Sequence, residues 1–172
     1  MHRPADSEQA IRTLAELIGQ IRIAMLTTVS EAGALRSRPI LTHGARFDGD
    51  LWFLTHLGSA KVEELHRDRR VGVTYVRHNA YIALSGIAHV VIDPGKAEEL
   101  WDPSYQEWFA GGPHDPDLAL IRVRVELAEY WTAPAFTWPL SAGFVVMAPD
   151  QRDDPRFHAA LVLDQRDRRF PS

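Results

Sequence analysis

The stretch Leu51-Trp52-Phe53-Leu54-Thr55-His56-Leu57-Gly58-Ser59-Ala60-Lys61-Val62-Glu63-Glu64-Leu65 decides how the chain reads, because its pattern changes in the middle. LWFLTH has the aromatic and apolar density of a strand. LGSAKVEEL reads as a short helix, opened by Gly58 and Ser59, with Val62 and Leu65 on one side. The junction brings the hydroxyls of Thr55 and Ser59 and the ammonium of Lys61 to a point where a strand gives way to a helix N-terminus. Free backbone N–H groups and the helix dipole favour a phosphate there.

Upstream, residues 6–20 read as a helix, since Ile11, Leu14, Leu17, Ile18 and Ile21 recur at helical spacing behind Asp6 and Ser7, with Asp6 and Gln9 forming a weak capping box. Strand-like runs follow: IAMLTTVS, a turn at EAG, ALRSRPILT, and a turn containing Phe47-Asp48-Gly49-Asp50. Alternation puts Arg36 and Arg38 on one face of their strand, and two guanidiniums on one face call for an anion. Arg38 and Lys61 supply formal charge for a phosphate, with planar bidentate donation from the first and a point charge from the second. The alternative is that Arg36, Arg38 and Lys61 are solvated charges paired with Glu31, Glu63 or Glu64.

Downstream, RRVGVTYV and AYIALSGIAHVVID read as strands split by His78 and Asn79, the second long enough to bend at Gly86. Asp93-Pro94 stops it and opens a helical stretch, GKAEELW. An aromatic-rich connection, SYQEWFAGGPHDPD, leads to a last strong strand, LALIRVRVELAEYW. About six strands with two or three short helices suit a closed or half-closed antiparallel barrel with flanking helices, a mainly β fold, better than a parallel sheet. Residues 133–172 differ. Five prolines break the pattern, and the segment reads as an extension packed on the barrel or partly mobile, in which FVVM at 144–147 and AALVL at 159–163 are apolar enough to add a strand or dock on a partner.

With 172 residues, one domain is expected. A net charge of −4 gives no global field for nucleic acid or an anionic membrane, so an anionic ligand needs a local cluster of cations. There is no cysteine, which excludes disulfides, thiolate nucleophiles and cysteine-rich zinc sites. The histidines have no paired metal spacing, so no metal is expected. MHRPADSEQ lacks a signal-like apolar core and no apolar run approaches the roughly 20 residues of a bilayer span, so a cytoplasmic address is expected.

LWFLTHLGSAKVEEL resembles the phosphate-binding segment of pyridoxamine 5'-phosphate oxidases, and RSRPI and YIALSGIAHVV fall where that family has flavin-contacting strands. The chain is most similar to the general stress protein branch, through AMLTTV, RSRPI, LWFLT, YIALSGIA, ELWDP, WFAGGPHDPDLALIRV and AEYW, in that order. The likeness covers residues 10–132 and implies, for residues 1–132, a split barrel holding FMN at the interface of a homodimer. Carried onto matching positions, Arg38, Pro39 and Ile40 line the flavin, partly through backbone groups. Leu54 and Thr55 flank the ring and ribityl chain, while Ser59, Ala60 and Lys61 receive the phosphate. The oxidases have arginine at the place of Ala60, so one charge is missing. Tyr81 takes the place of a flavin-contacting glutamine, and its alternative role is a barrel core aromatic. Trp108, beside Phe109, is placed either to cover the partner's flavin or to act as a packing anchor. Trp52 is expected to pack, and His43, His56 and His89 to make ordinary hydrogen bonds.

The resemblance implies an FMN-dependent oxidoreductase working with a small-molecule electron donor or acceptor. Two other readings stay open: a stress-related flavin-binding protein without catalysis, and the same fold with a deazaflavin or haem. No catalytic side chain is assigned. Oxidation of pyridoxamine phosphate itself is not expected. His43 stands where the oxidases have a substrate-binding lysine, no arginine occurs between Arg77 and Arg122, and LVLDQRDRRFPS replaces their Arg-Leu-His-Asp-Arg motif. Incubated in air with FMN and pyridoxamine 5'-phosphate, the protein should form aldehyde more than roughly tenfold slower than an authentic oxidase. Turnover within that margin would show that other residues rebuild the substrate site.

Overall fold

The structure, a computed structural model, describes residues 4–42, 47–77, 80–132 and 158–162, and only the backbone of residues 4–10, 132 and 158–162. His43, the expected turn at His78 and Asn79, the run 144–147, and the C-terminal extension apart from 158–162 lie outside the described residues.

The chain runs α1 (Pro4–Gly19), β1 (Ile23–Val29), β2 (Leu35–Leu41), β3 (Asp50–His56), α2 (Ala60–Arg67), β4 (Arg70–Arg77), β5 (Ala80–Val91) and α3 (Pro94–Leu100). Two 3-10 turns (Pro103–Glu107 and Gly112–His114), β6 (Leu118–Thr132) and β7 (His158–Val162) complete it. α1 begins two residues ahead of Asp6, with Pro4, which has no N–H to lose, at its start. Asp6 therefore lies inside the first turn and is not a cap.

All strand pairs are antiparallel, in the order β2-β1-β4-β5-β6-β3, and the sheet curls into a half-barrel in which the edge strands β2 and β3 approach one another. β6 is the spine. One edge pairs with β5 along almost its whole length, while the other takes β3 against Leu118–Arg124 and then β7 against Leu127–Trp131. The expected strand at AALVL is thus present as β7.

Alternation along the strands turns Ala24, Leu26, Val71, Val73, Tyr75, Ile82, Leu84, Val123 and Val125 inward, where Ile11, Leu14 and Ile18 of α1 close the core. A second core lies on the other face of β3 and β6: Leu54, Leu118 and Leu120 are covered by Ala97 and Leu100 of α3 and by Tyr105 and Phe109 of the aromatic connection. α3 is opened by Asp93, whose carboxylate accepts from the Lys96 N–H at 3.0 Å, with Pro94 behind it, as the sequence implies. Trp52 packs beside this second core, with the Lys96 ammonium 5.2 Å and the Arg122 guanidinium 5.5 Å from its ring centre. Among the described residues no helix is long and apolar enough to cross a membrane.

Two glycines shape the sheet. Gly33 takes φ 79° in the β1–β2 turn, where its N–H donates to the Ser30 carbonyl at 2.9 Å. At Gly86 the β5–β6 register shifts by one residue, and a Cβ placed there would lie 2.0 Å from the Arg124 carbonyl oxygen. Gly86→Ala should therefore cost roughly 1–3 kcal/mol in urea unfolding. A loss below about 0.5 kcal/mol would mean that the bulge relaxes freely.

Candidate functional site

β3 ends by handing Thr55 and His56 to the turn that opens α2. Thr55 is buried, and its Oγ1 accepts from the Lys61 Nζ at 2.9 Å and lies 3.3 Å from the Ser59 Oγ. Ser59 is the N-cap residue of α2, yet its hydroxyl makes no cap hydrogen bond and is turned toward Thr55 instead. The N–H groups of Val62 and Glu63 reach the Ser59 carbonyl at 2.9 and 3.4 Å. Those of Ala60 and Lys61 have no acceptor among the described residues. Two free N–H donors, two hydroxyls and an ammonium thus converge at one helix end, as the junction in the sequence implies.

Beneath them lies a cluster whose burial the sequence does not announce. Arg36 and Arg38 share the inner face of β2, opposite Thr28 and Leu26 of β1. Glu64, one turn into α2, meets both. Its carboxylate accepts from Arg38 Nη2 at 2.6 Å, from Arg36 Nη1 at 2.8 Å and from the Thr28 hydroxyl at 2.5 Å, and Arg38 Nη1 also donates to Thr28 Oγ1. The pairing with Glu64 is real, but it is not a solvated surface pair. The Glu64 side chain is 5% exposed and that of Arg38 20%, while Arg36 reaches out at 57%. Glu31 pairs with Arg67 at 3.3 Å, and Lys61 has no ion pair among the described residues.

The electrostatics follow from this packing. Burial pushes the Glu64 carboxyl up, but hydrogen bonds from Thr28 and Arg38 and the charges of Arg38 and Arg36 outweigh it and hold the group below the ordinary carboxylate value. For Lys61, burial lowers the ammonium from its usual value and the Arg38 charge adds to this, with Glu64 working against both. Two cations close enough to repel, half out of water, leave the site short of negative charge. A phosphate monoester would supply it, and the free Ala60 and Lys61 N–H groups and the hydroxyls could offer the hydrogen bonds such a group accepts. The donor set fits.

The other expected contacts are placed variously. Ile40 and Leu54 turn their side chains into the two cores, so only their backbone is available to a ligand. Ala60 is exposed at the helix start. Pro39 sits on the outer face of β2, opposite Met25, and Tyr81 lies on the same outer face two strands beyond β1, opposite Val76. The core role for Tyr81 is thereby corrected: alternation gives the core to Ile82 and leaves Tyr81 half-buried outside. Trp108 is 49% exposed, close to Tyr105, at the edge of the second core. His56 stacks on Phe109 with ring centres 4.5 Å apart. Thr28 is the residue that sequence reasoning missed, and Glu64 enters that reasoning only as one of three solvated partners for the arginines, not as a buried one. The available signal was an acidic side chain at the edge of the helix's apolar face, next to Leu65, in a chain whose neighbouring strand carries two arginines on one face.

A family model described as pyridoxamine 5'-phosphate oxidase like matches residues 9–146. Protein bli-3 of Neurospora crassa is 28% identical over 135 residues, which span 72% of this chain and 65% of that protein's length. Among solved structures, a putative general stress family protein from Xanthomonas campestris is 26% identical with a TM-score of 0.65, over 86% of this chain and 99% of that one. The general stress FMN/FAD binding protein of Xanthomonas citri is 26% identical with a TM-score of 0.64, over 82% of this chain and 99% of its own.

The ionised state of Glu64 is open to measurement. Its folded value lies below that of the unfolded chain, so its contribution to stability is complete above about pH 5 and is lost as the pH falls through the lowered folded value. In urea unfolding, the stability gap between wild type and Glu64→Gln should narrow between about pH 6 and about pH 3. A gap of constant size over that range would contradict a charge held by the arginines.

Proposed function

This chain belongs to the pyridoxamine 5'-phosphate oxidase-like family, and from that premise we propose that it binds FMN between two copies of itself and acts as an FMN-dependent oxidoreductase in the cytoplasm. The observation that carries this reading is the convergence of Lys61, Thr55, Ser59 and the free N–H groups of Ala60 and Lys61, with Arg38 close by. These groups hold the phosphate. The backbone of Arg38, Pro39, Ile40 and Leu54 borders the ring and ribityl chain, and Tyr81 and Trp108 are the aromatic contacts. The likeness to the Xanthomonas citri FMN/FAD binding protein supports a flavin, and the choice of a phosphate monoester supports FMN.

Flavin, when bound, supplies the electron chemistry, so the side chains need only bind, orient and shield it. Small molecules serve as electron donor and acceptor. Pyridoxamine phosphate is not the substrate: no arginine stands on α3 or the aromatic connection after it to hold a second phosphate. The pairing of two copies rests on the outer face of β1, β2 and β4, where Ile23, Met25 and Val76 stand exposed near Pro39 and Tyr81, and Leu35 is exposed further along the same face. A second copy placed on it buries apolar surface and brings the partner's residues to the flavin.

Lys61→Ala should weaken FMN binding by about 1.5–3 kcal/mol, roughly tenfold to hundredfold in a flavin fluorescence titration. Arg38→Ala should behave similarly and Arg36→Ala should matter less. An unchanged affinity for Lys61→Ala would remove Lys61 from the site. Steady-state turnover of NAD(P)H with an electron acceptor tests the catalytic half; a protein that holds FMN and turns nothing over is a flavin store.

A further inference from the structure

We propose that Glu64 is a positioning residue, which fixes the guanidinium of Arg38 at the floor of the anion site so that its charge is directed at the ligand before the ligand arrives. The inference rests on the FMN reading above and concerns a residue that the reading does not itself require. Arg38 is held at both ends of its fork, with Nη2 on Glu64 at 2.6 Å and Nη1 on Thr28. Thr28 is fully buried and in turn donates to Glu64 at 2.5 Å, so carboxylate, hydroxyl and guanidinium close a triangle that spans α2, β1 and β2. Arg36 braces the carboxylate from its other oxygen, at 2.8 Å on Oε1. A long side chain that enters a complex already ordered loses less rotamer freedom on binding than one recruited from solvent.

Two physical pictures give opposite signs. If Glu64 is only a counter-charge, its removal makes the site one unit more positive and an anionic ligand binds more tightly. If Glu64 positions Arg38, its neutral isostere leaves the guanidinium free to swing toward water, and binding weakens although the charge has become more favourable. The buried triangle favours the second. A carboxylate with three donors and almost no contact with water, made by three different elements, is a constraint on geometry first.

The experiment is a double-mutant cycle in the full chain, with FMN affinity read by fluorescence titration and folding checked by circular dichroism. Glu64→Gln should bind FMN roughly tenfold more weakly than wild type. In an Arg38→Met background the same substitution should change affinity by less than about twofold, because the group it acts through is gone. Thr28→Val, which leaves every charge in place, should also weaken FMN and keeps the inference testable if Glu64→Gln does not fold. Tighter or unchanged binding in Glu64→Gln, an equal loss with and without Arg38, or unchanged binding in Thr28→Val each overturns the positioning role. A wild-type protein that binds no FMN overturns the functional reading and this inference with it, and is told apart from those outcomes by the first titration.

Discussion

A carboxylate buried where α2 meets the turn end of the β1–β2 hairpin has to be satisfied, and the way this chain satisfies Glu64 organises that end of the barrel. Thr28 comes from β1, Arg36 and Arg38 from β2 and Glu64 from α2, so one ionic cluster ties three elements that also share the barrel core through Leu26, Ile40 and Leu65. Breaking it by removing one partner would strand a charge out of water, which is far more costly than the net gain from making the pair. The start of α2 is therefore fixed against the barrel, and with it the Ser59–Lys61 turn. The hydroxyl of Ser59 makes no capping bond and lies near Thr55, and the N–H groups of Ala60 and Lys61 at the helix end have no acceptor among the described residues. Local stability is given up at the helix start where an anion can restore it.

The barrel supplies the rest of the geometry through β6. Its fifteen residues pair with β5 on one edge and with β3 and then β7 on the other, which carries the end of β3 to the Ser59–Lys61 turn while the sheet curls. The bulge at Gly86 lets β5 follow the bend without a side chain striking the Arg124 carbonyl. Both faces of β3 and β6 are buried, by the α1 core on one side and by α3 with the aromatic connection on the other. Among the described residues, the outer face of β1, β2 and β4 is less covered: it carries exposed Ile23, Met25, Leu35 and Val76, while Leu41 packs against the second core.

That asymmetry explains what the sequence discloses and what it withholds. The strands from Ile23 to Trp131 and α2 are legible because turn residues and changes of period punctuate them, and the Thr55–Lys61 junction is legible because strand and helix signals meet within a few residues. The two-residue period also separates Tyr81 from Ile82, but it defines two faces without saying which one becomes the core. LWFL and LALI are apolar on both faces, and only the packing of α3 shows why. Glu64 is hidden for a different reason. An acidic residue on a short helix is ordinarily solvated, and nothing local marks it as the acceptor for arginines 26 and 28 residues away in sequence. The cations can be read from the chain; which of the three candidate carboxylates pairs with both arginines, and that it is buried, becomes visible only in three dimensions.

Whether two copies of this chain share flavin mononucleotide can be read by native mass spectrometry of the protein as purified. A species of twice the 19.4 kDa chain mass carrying two molecules of FMN, which are released on denaturation, is expected. A monomer that still carries FMN, or a dimer that carries none and takes none up when it is supplied, would contradict it.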